Sequence, residues 1–202
     1  MENEGTLSSP WDKQVGAEFA AKDADQAVAT MTADAYVNMI PLMIGAVGRD
    51  GVRDFYAKHF LPQLPPDIEI VPVSRTIGQS QVVDELIIRF THSTRMDWLL
   101  PGIAPTGKHV QVPFVAIIRF EGDKIVREHL YWDQASLLVQ LNLLDRVLPV
   151  RGGEVAAQVL SLSQPMNELI HRGDVKGTAR ERRTEHPHPP AVDPETSMGE
   201  FP

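Results

Sequence analysis

Three polar residues that can move protons, His129, Tyr131 and Asp133, stand at alternate positions where a predicted strand ends. Side chains at alternate positions of a strand share one face and lie about 7 Å apart, close enough to line one substrate. An imidazole, a phenol and a carboxylate beside a carbonyl group can support aldol cyclisation, double-bond isomerisation or dehydration. The spacing therefore predicts an acid–base site at the end of this strand.

Each of these residues also has a structural interpretation. Asp133 opens a run of leucines at helical spacing, and Asp is a favoured helix N-cap, so capping and catalysis explain it equally well. Tyr131 can instead be a packed aromatic residue whose hydroxyl group lies at the surface. Glu128 and Trp132 have the opposite parity, and an error of one residue in assigning the faces would bring them into the pocket instead.

A second candidate stands on a long strand predicted over residues 82–96. One face of this strand is mostly apolar, with His92 and Asp84 as its polar exceptions. A buried polar group is costly unless it is paired, so His92 is either a general acid–base group in a cavity or a satisfied core histidine. A regular strand would separate it from Asp84 by about 26 Å, which excludes direct contact and places Asp84 near a rim.

The predicted elements that position these residues are helices first and long strands afterwards. Helical patterns are predicted over residues 9–21, 25–31, 50–60, 133–145 and 154–160, and strands over 35–40, 68–77, 82–96, 109–120 and 125–132. This order predicts an α+β fold, in which a curved antiparallel sheet packs on three N-terminal helices and forms a cone open at one end. Such openings are common ligand sites.

Composition limits the classes of function. A net charge of -8 argues against nucleic acid or an anionic membrane as the main partner. No cysteine is present, the seven histidines are scattered, and no glycine-rich phosphate loop or Gly-x-Ser-x-Gly motif occurs. We therefore expect no metal and no cofactor. The polar N-terminus and the lack of an apolar run of about 20 residues favour a cytoplasmic protein.

Three segments carry motifs that point to a known family. They are GVRDFY (51–56) with HF (59–60); VDE (83–85), FTH (90–92), MDW (96–98), LPG (100–102) and PTG (105–107); and EH (128–129) with YWDQA (131–135) and the glutamine at 140. Together they span roughly residues 10–148, and they resemble the SnoaL-like, polyketide-cyclase-like branch of the nuclear transport factor 2-like superfamily. The resemblance implies the conical fold, but the superfamily includes cyclases, ketosteroid isomerases, dehydratases, epoxide hydrolases and non-catalytic binders.

The resemblance also suggests how the chain divides into domains and which residues line the pocket. We assign 1–148 to the SnoaL-like domain, 149–172 to a helical C-terminal extension, and 173–202 to a disordered tail of polar composition. Polar residues on the first strand often reach the cavity in resembling families, which makes Tyr36 and Asn38 candidates for substrate binding. Phe90 and Phe114 on apolar sheet faces are further candidates, and Trp98 is either a pocket wall or a core residue.

Two hypotheses for function follow. The first is a cofactor-independent cyclase, isomerase or dehydratase for a small apolar carbonyl compound, polyketide- or terpenoid-like, in which His129, Asp133 and His92 move protons and Tyr131 donates a hydrogen bond. The second is a non-catalytic ligand-binding or dimeric assembly module. A cavity of about 300 Å³ or more that exposes at least two polar groups would favour the enzyme.

A homodimer through the sheet face is also expected. Val115 and Ile117 have the opposite parity from Phe114, Ala116 and Ile118, so both faces of that strand are apolar. Burial of both faces is what sheet-to-sheet pairing of two copies requires.

Overall fold

The structure, a computed structural model, describes residues 4–172, so the tail predicted from residue 173 lies outside the described residues. The helices are α1 (Glu4–Val15), α2 (Ala24–Val28), α3 (Arg49–Phe55), α4 (Gln134–Gln140) and α5 (Glu154–Leu160). Helix α1 continues into a π-helical turn, Gly16–Ala21, and α3 into a second one, Tyr56–Phe60. The strands are β1 (Met31–Met39), β2 (Ile44–Val47), β3 (Glu69–Ile77), β4 (Gln81–Thr91), β5 (His109–Glu121) and β6 (Lys124–Trp132). Within residues 4–172, no helix is both long and apolar enough to cross a membrane.

The six strands form one sheet in the order β2-β1-β6-β5-β4-β3. All neighbouring strands run antiparallel except β1 and β6, which are parallel. The α+β prediction is confirmed, while the expectation of a wholly antiparallel sheet is wrong at this one pair. The first strand lies beside the last one, and their shared direction sets Asn38 beside His129.

A bulge in β6 decides which of its side chains face inward. Arg127 pairs with Arg119 and Ile125 with Phe120, so Val126 is an extra residue without a partner on β5. A bulge bends its strand and shifts the alternation of side chains. Ile125 and Glu128 are consequently both buried, although they are three positions apart.

The main core lies between the inner face of the sheet and the helices that precede β3. Large buried side chains of this core include Tyr56 and Phe60 from the helical layer and Phe90 and Ile118 from the sheet. This core encloses the polar residues described below.

The C-terminal extension covers part of the outer face of the sheet. Both α4 and α5 contact β5, and Gly153 lies against Gln111 of that strand. Ile87, Val139 and Ala156 are buried without belonging to the main core. Val115 and Ile117 are half-buried on the rest of this face, and the homodimer through it stays a prediction.

Several element boundaries differ from the predicted ones for local reasons. Helix α1 begins at Glu4 and not at the predicted residue 9, and it contains Pro10. The chain leaves β4 after Thr91, and α4 ends where Asn142 takes a left-handed φ of 60°. Strand β2 was not predicted; it pairs with β1 because Gly45 has no side chain, and a Cβ there would lie 1.9 Å from the carbonyl oxygen of Val37.

Candidate functional site

A cavity of about 520 Å³ lies between α1 with its π-helical turn, the second π-helical turn, and the inner face of the sheet. A cavity of this volume can hold a drug-sized molecule. Its walls are mostly apolar and are formed chiefly by Val15, Phe19, Met39, Phe60, Ile70, Pro72, Leu86, Ile88, Trp98, Phe114 and Leu130.

Three titratable residues interrupt this apolar lining and are held together by one amide. The Nε2 group of Gln14 donates to Oε1 of Glu18 at 2.8 Å and also to Oε1 of Glu128. The Tyr56 hydroxyl donates to Oε2 of Glu128 at 3.2 Å. Glu18, Tyr56 and Glu128 all line the cavity, and all four residues are at least 96% buried. We call these four residues the carboxyl cluster.

Irregular backbone positions the three titratable members of the carboxyl cluster. Glu18 lies within the first π-helical turn and Tyr56 is the first residue of the second one. π-helical segments are rare and occur frequently at functional sites because they redirect side chains locally. Glu128 faces inward because of the bulge at Val126 in β6. The Thr30 hydroxyl donates to Oε1 of Gln14 at 2.9 Å, which turns the amide N–H groups towards the carboxyl groups.

Burial raises the pKa values of both carboxyl groups. The pKa of Glu18 rises from 4.5 to about 7, mainly because burial penalises the charged form, and hydrogen bonds from Gln14 and Tyr56 oppose this rise. The pKa of Glu128 rises from 4.5 to about 8 because of burial and of the nearby negative charge of Glu18. Burial also raises the pKa of Tyr56 well above its ordinary value, so the phenol remains a neutral donor. Near neutral pH at least one of the two carboxyl groups therefore keeps its proton.

A second polar group, the rim cluster, lies at the solvent side of the cavity and consists of Trp11, Asp12, Arg75 and Asp84. The guanidinium of Arg75 binds Asp84 with two hydrogen bonds of 2.6 and 2.7 Å and reaches Asp12 at 2.8 Å. The indole N–H of Trp11 donates to Asp84 at 2.7 Å. Asp84 thus lies near a rim, as expected, and its charge is paired.

The residues predicted as catalytic do not line this cavity. His129 and Tyr131 lie on the outer face of the sheet, where the ring of His129 is 5.6 Å from Tyr36 and 6.4 Å from Tyr131. The predicted parity of β6 is therefore wrong. Asn38 pairs with His129 on the neighbouring strand and, like Tyr36, is absent from the lining. Burial and the charge of Arg127 lower the pKa of His129.

Asp133 and His92 also lie outside the cavity lining. Asp133 caps α4 by accepting the backbone N–H of Ser136 at 3.0 Å, which favours the structural interpretation of this residue. His92 is fully buried; its Nδ1 accepts the backbone N–H of Thr106 at 3.3 Å, and burial lowers its pKa. The chain places His92 just after β4, in the connection to β5.

The predicted substrate-binding residues divide into two sets. Trp98 and Phe114 line the cavity, as expected, and Trp98 packs edge to face on Phe60 with ring centroids 4.9 Å apart. Phe90 is buried in the core and does not line the cavity. Binding of a substrate by Trp98 and Phe114 stays a prediction.

Sequence reasoning missed the carboxyl cluster, although a signal for it was present. Gln14 and Glu18 follow Trp11 by three and seven positions, which sets two polar residues beside the apolar stripe of the first helix. Tyr56 was named only as part of the motif at residues 51–56, and Glu128 only as the consequence of an error in parity. Among residues 4–172, no group of three or more His, Asp or Glu side chains could hold a metal ion.

An α+β cone that encloses an apolar cavity with buried acid–base groups defines the class of protein, and comparison with known proteins agrees with it. The sequence profile of the SnoaL-like domain matches residues 14–128, more than half of the chain, so the chain belongs to the SnoaL-like family. No curated protein is significantly similar to it in sequence.

Similar solved structures share the fold at low sequence identity. A putative SnoaL-like polyketide cyclase from Jannaschia sp. CCS1 is 16% identical with a TM-score of 0.58, over 72% of this chain and 97% of that one. A protein with a ketosteroid isomerase-like fold from Catenulispora acidiphila, solved with trimethylamine, is 15% identical with a TM-score of 0.53, over 68% and 95%. The epoxide hydrolase/cyclase-like enzyme SalBIII, which acts in pyran ring formation in salinomycin, is 17% identical with a TM-score of 0.50, over 65% and 94%. At these identities the likeness shows the fold alone.

Proposed function

We propose that this protein is a cofactor-independent acid–base enzyme that isomerises, cyclises or dehydrates a small apolar carbonyl compound, polyketide- or terpenoid-like, in the cavity. The observation that supports this proposal is the pair Glu18 and Glu128, two buried carboxyl groups that face an apolar cavity of about 520 Å³. A buried carboxyl pair is costly to maintain, and its raised pKa values match the requirements of proton transfer near neutral pH.

Different environments give the two carboxyl groups different roles. Glu18, with the lower pKa, is the carboxylate that removes a proton from the carbon next to the carbonyl group. The electron pair of that C–H bond forms the C=C bond of an enol, and the carbonyl oxygen takes the proton of Glu128 while Tyr56 donates a hydrogen bond to it.

The same cluster completes each of the three reactions. In isomerisation, Glu18 returns its proton to a different carbon and Glu128 regains its own from the enol oxygen. In cyclisation, the enol carbon attacks a second carbonyl carbon of the same molecule, the new alkoxide takes the proton held by Glu18, and the enol oxygen returns its proton to Glu128 as the first carbonyl re-forms. In dehydration, the enol oxygen again returns its proton to Glu128, and the electron pair expels a hydroxyl group from the next carbon, which leaves as water with the proton held by Glu18. Neither oxidant nor reductant is required in any of them.

The relatives support the class of reaction and not the substrate. A polyketide cyclase and an epoxide hydrolase/cyclase-like enzyme are both similar in fold, and their names describe rearrangements without a change of oxidation state. The apolar lining supports a hydrophobic substrate skeleton.

Hydrogen–deuterium exchange tests the proposal without knowledge of the natural substrate. Enolisation in deuterium oxide replaces the α-hydrogens of a ketone, so a panel of bicyclic ketones can be incubated with the protein and followed by NMR. We expect the wild-type protein to accelerate exchange for at least one apolar ketone. Glu18→Gln and Glu128→Gln should each reduce that rate by about 10²- to 10⁴-fold, the contribution of a general acid or base.

His129→Ala is the matched control, because His129 is titratable but lies on the outer face of the sheet. Its exchange rate should equal that of the wild type. Ketone binding without any exchange would support a non-catalytic binding module instead. Loss of exchange in His129→Ala alone would show that the reaction takes place on the outer face of the sheet and not in the cavity.

A further inference from the structure

Gln14 is a fully buried amide near the end of α1, and its hydrogen bonds are all made to other side chains of the protein. Its Nε2 group contacts the carboxyl groups of Glu18 and Glu128, and its Oε1 accepts the hydroxyl of Thr30. Gln14 is not part of the cavity lining. It can therefore act on a bound molecule only through the residues that it holds.

One nitrogen atom of this amide serves both carboxyl groups. Nε2 donates to Oε1 of Glu18 at 2.8 Å and to Oε1 of Glu128, and an amide nitrogen carries two N–H donors for these two bonds. A longer contact of 3.3 Å to the hydroxyl oxygen of Tyr56 shares one of the donors. Hydrogen bonds to an ionised group are stronger than those to a neutral one, so the amide stabilises a negative charge on either carboxyl group.

The proposed reaction moves one negative charge across this amide. Glu18 begins as the carboxylate and becomes protonated, while Glu128 begins protonated and becomes the carboxylate. An N–H of Gln14 is already in place at both positions. Donors that are in place before charge develops require no rearrangement during the reaction, which is the basis of electrostatic stabilisation in enzymes.

Thr30, between α2 and β1, fixes the orientation of the amide. An amide that turned over would exchange its nitrogen for its oxygen and present an acceptor to the two carboxyl groups. The hydroxyl of Thr30 opposes this exchange because it donates to Oε1 of Gln14 at 2.9 Å. It shares its proton with the backbone oxygen of Ala27 at 2.7 Å, and this contact holds the hydroxyl in place.

We propose that Gln14 is a positioning residue, whose amide keeps a hydrogen bond on the negative charge before and after that charge moves from Glu18 to Glu128. The proposal rests on the proposed function, which supplies the movement of charge. Gln14 neither touches the substrate nor transfers a proton. Its loss should therefore change the pH at which the carboxyl pair titrates, and slow the reaction at neutral pH.

Other titratable and charged groups also face the cavity and act on the same pair. They are Asp12 from α1, Tyr56 from the second π-helical turn, Arg75 from β3, and Asp84 and Glu85 from β4. Arg75 binds Asp84 and Asp12, and Glu85 accepts the hydroxyl of Ser74 at 3.0 Å. Neutral substitutions at positions 14 and 30 leave these charges in place, so a difference between such variants reports the effect of the amide.

NMR titration of the carboxyl groups tests the arrangement without a substrate. Protein with ¹³C-labelled glutamate is titrated as wild type, Gln14→Met, Thr30→Val and Thr30→Ser. Methionine has nearly the length of glutamine and no charge, so it removes the donors and keeps the volume. We expect the Glu18 and Glu128 signals of Gln14→Met to titrate at a pH higher by about one unit, because loss of a hydrogen bond to a charged group disfavours the ionised form.

The two Thr30 variants form a matched pair. Thr30→Val removes the hydroxyl that fixes the amide and should move the titrations in the same direction by a smaller amount. Thr30→Ser retains a hydroxyl and should restore the wild-type titrations. If Gln14→Met does not fold, this pair decides the question by the same measurement.

The pH profile of ketone exchange is the second readout. Below the pKa of the base, exchange in Gln14→Met should be slower than in the wild type by about tenfold, and the deficit should shrink as the pH rises and more of the base ionises. Thr32→Val is the control, because the Thr32 hydroxyl bonds the exposed Asp34 and not the carboxyl cluster. Wild-type titrations in Gln14→Met, or a loss of exchange that is equal at every pH, would overturn the proposal.

The two readouts separate this inference from the proposed function. If the carboxyl titrations move as expected and the wild type catalyses no exchange, the amide bridge between the carboxyl groups stands and the enzymatic function does not. If exchange requires Glu18 and Glu128 while Gln14→Met keeps the wild-type titrations and profile, the enzymatic function stands and the role of Gln14 is refuted.

Discussion

The carboxyl cluster should make the protein less stable as the pH rises from about 5 to 8. A carboxyl group whose folded pKa exceeds its unfolded pKa binds more protons in the folded state between these values. Glu128, with a pKa of 4.5 when unfolded and about 8 when folded, therefore opposes folding increasingly across this range, and its effect is complete above about pH 8. Glu18, raised to about 7, acts in the same direction. Replacement of Glu128 by glutamine removes one of these charges and keeps the shape of the side chain.

The magnitude follows from the printed shift of Glu128. Each pKa unit corresponds to about 1.4 kcal/mol, which gives roughly 5 kcal/mol as an upper bound for this fully buried group. Relaxation of the site and water entry reduce such values, so we expect on the order of 2–3 kcal/mol. The free energy of unfolding of Glu128→Gln should exceed that of the wild type by this amount above about pH 8 and by much less near pH 5.

Denaturant titrations followed by tryptophan fluorescence at several pH values measure this difference. His92 and His129, whose pKa values are lowered by burial, titrate equally in both proteins and cancel in the comparison. Glu69→Gln is the control, because Glu69 is exposed at the start of β3. A difference between wild type and Glu128→Gln that does not grow from about pH 5 to 8 would refute the reasoning.

Other parts of the molecule give further expected outcomes. Asp133→Ala should lower the free energy of unfolding by about 1 kcal/mol through loss of the α4 cap and leave ketone exchange unchanged. Arg75→Met should cost about 3 kcal/mol, measured by denaturation, because it leaves Asp84 without its cation; a neutral result would mean that Asp84 is solvated. Gly45→Ala should lower the melting temperature by several degrees, since its Cβ would meet the Val37 carbonyl, and retention of the wild-type value would show that β2 can shift. Sedimentation at micromolar concentration checks the homodimer, and a monomer would count against it.

The fold was predictable because its elements carry their own local signals. The Asp133 cap and the α5 helix over residues 154–160 were placed correctly from residue types and spacing. Strand β2 gave no such signal, because its pairing depends on the close approach of Gly45 to β1. Hydrophobic periodicity therefore does not predict a strand whose pairing depends on a glycine that leaves room for the neighbouring backbone.

The candidate site was less predictable because it depends on the backbone irregularities of three elements. The alternation from Ile125 predicts His129 and Tyr131 inside, and one unpaired residue at Val126 reverses the outcome. The two π-helical turns likewise change the directions of the Glu18 and Tyr56 side chains, and a sequence pattern based on regular α-helices does not predict this change. Binary patterning assumes regular geometry, so it fails where π-helical turns and a bulge interrupt that geometry.

Loss of the extra residue in β6 would affect the bend of the strand and not the identity of its inner side chains. Deletion of Val126 would leave only Arg127 between Ile125 and Glu128, so ordinary alternation would keep Glu128 and Leu130 on the inner face. A change of length at this position is therefore expected to straighten the strand and reshape the cavity while the acidic interior is retained. Related proteins that lack the extra residue are expected to differ in the shape of the compound they enclose more than in the groups that face it.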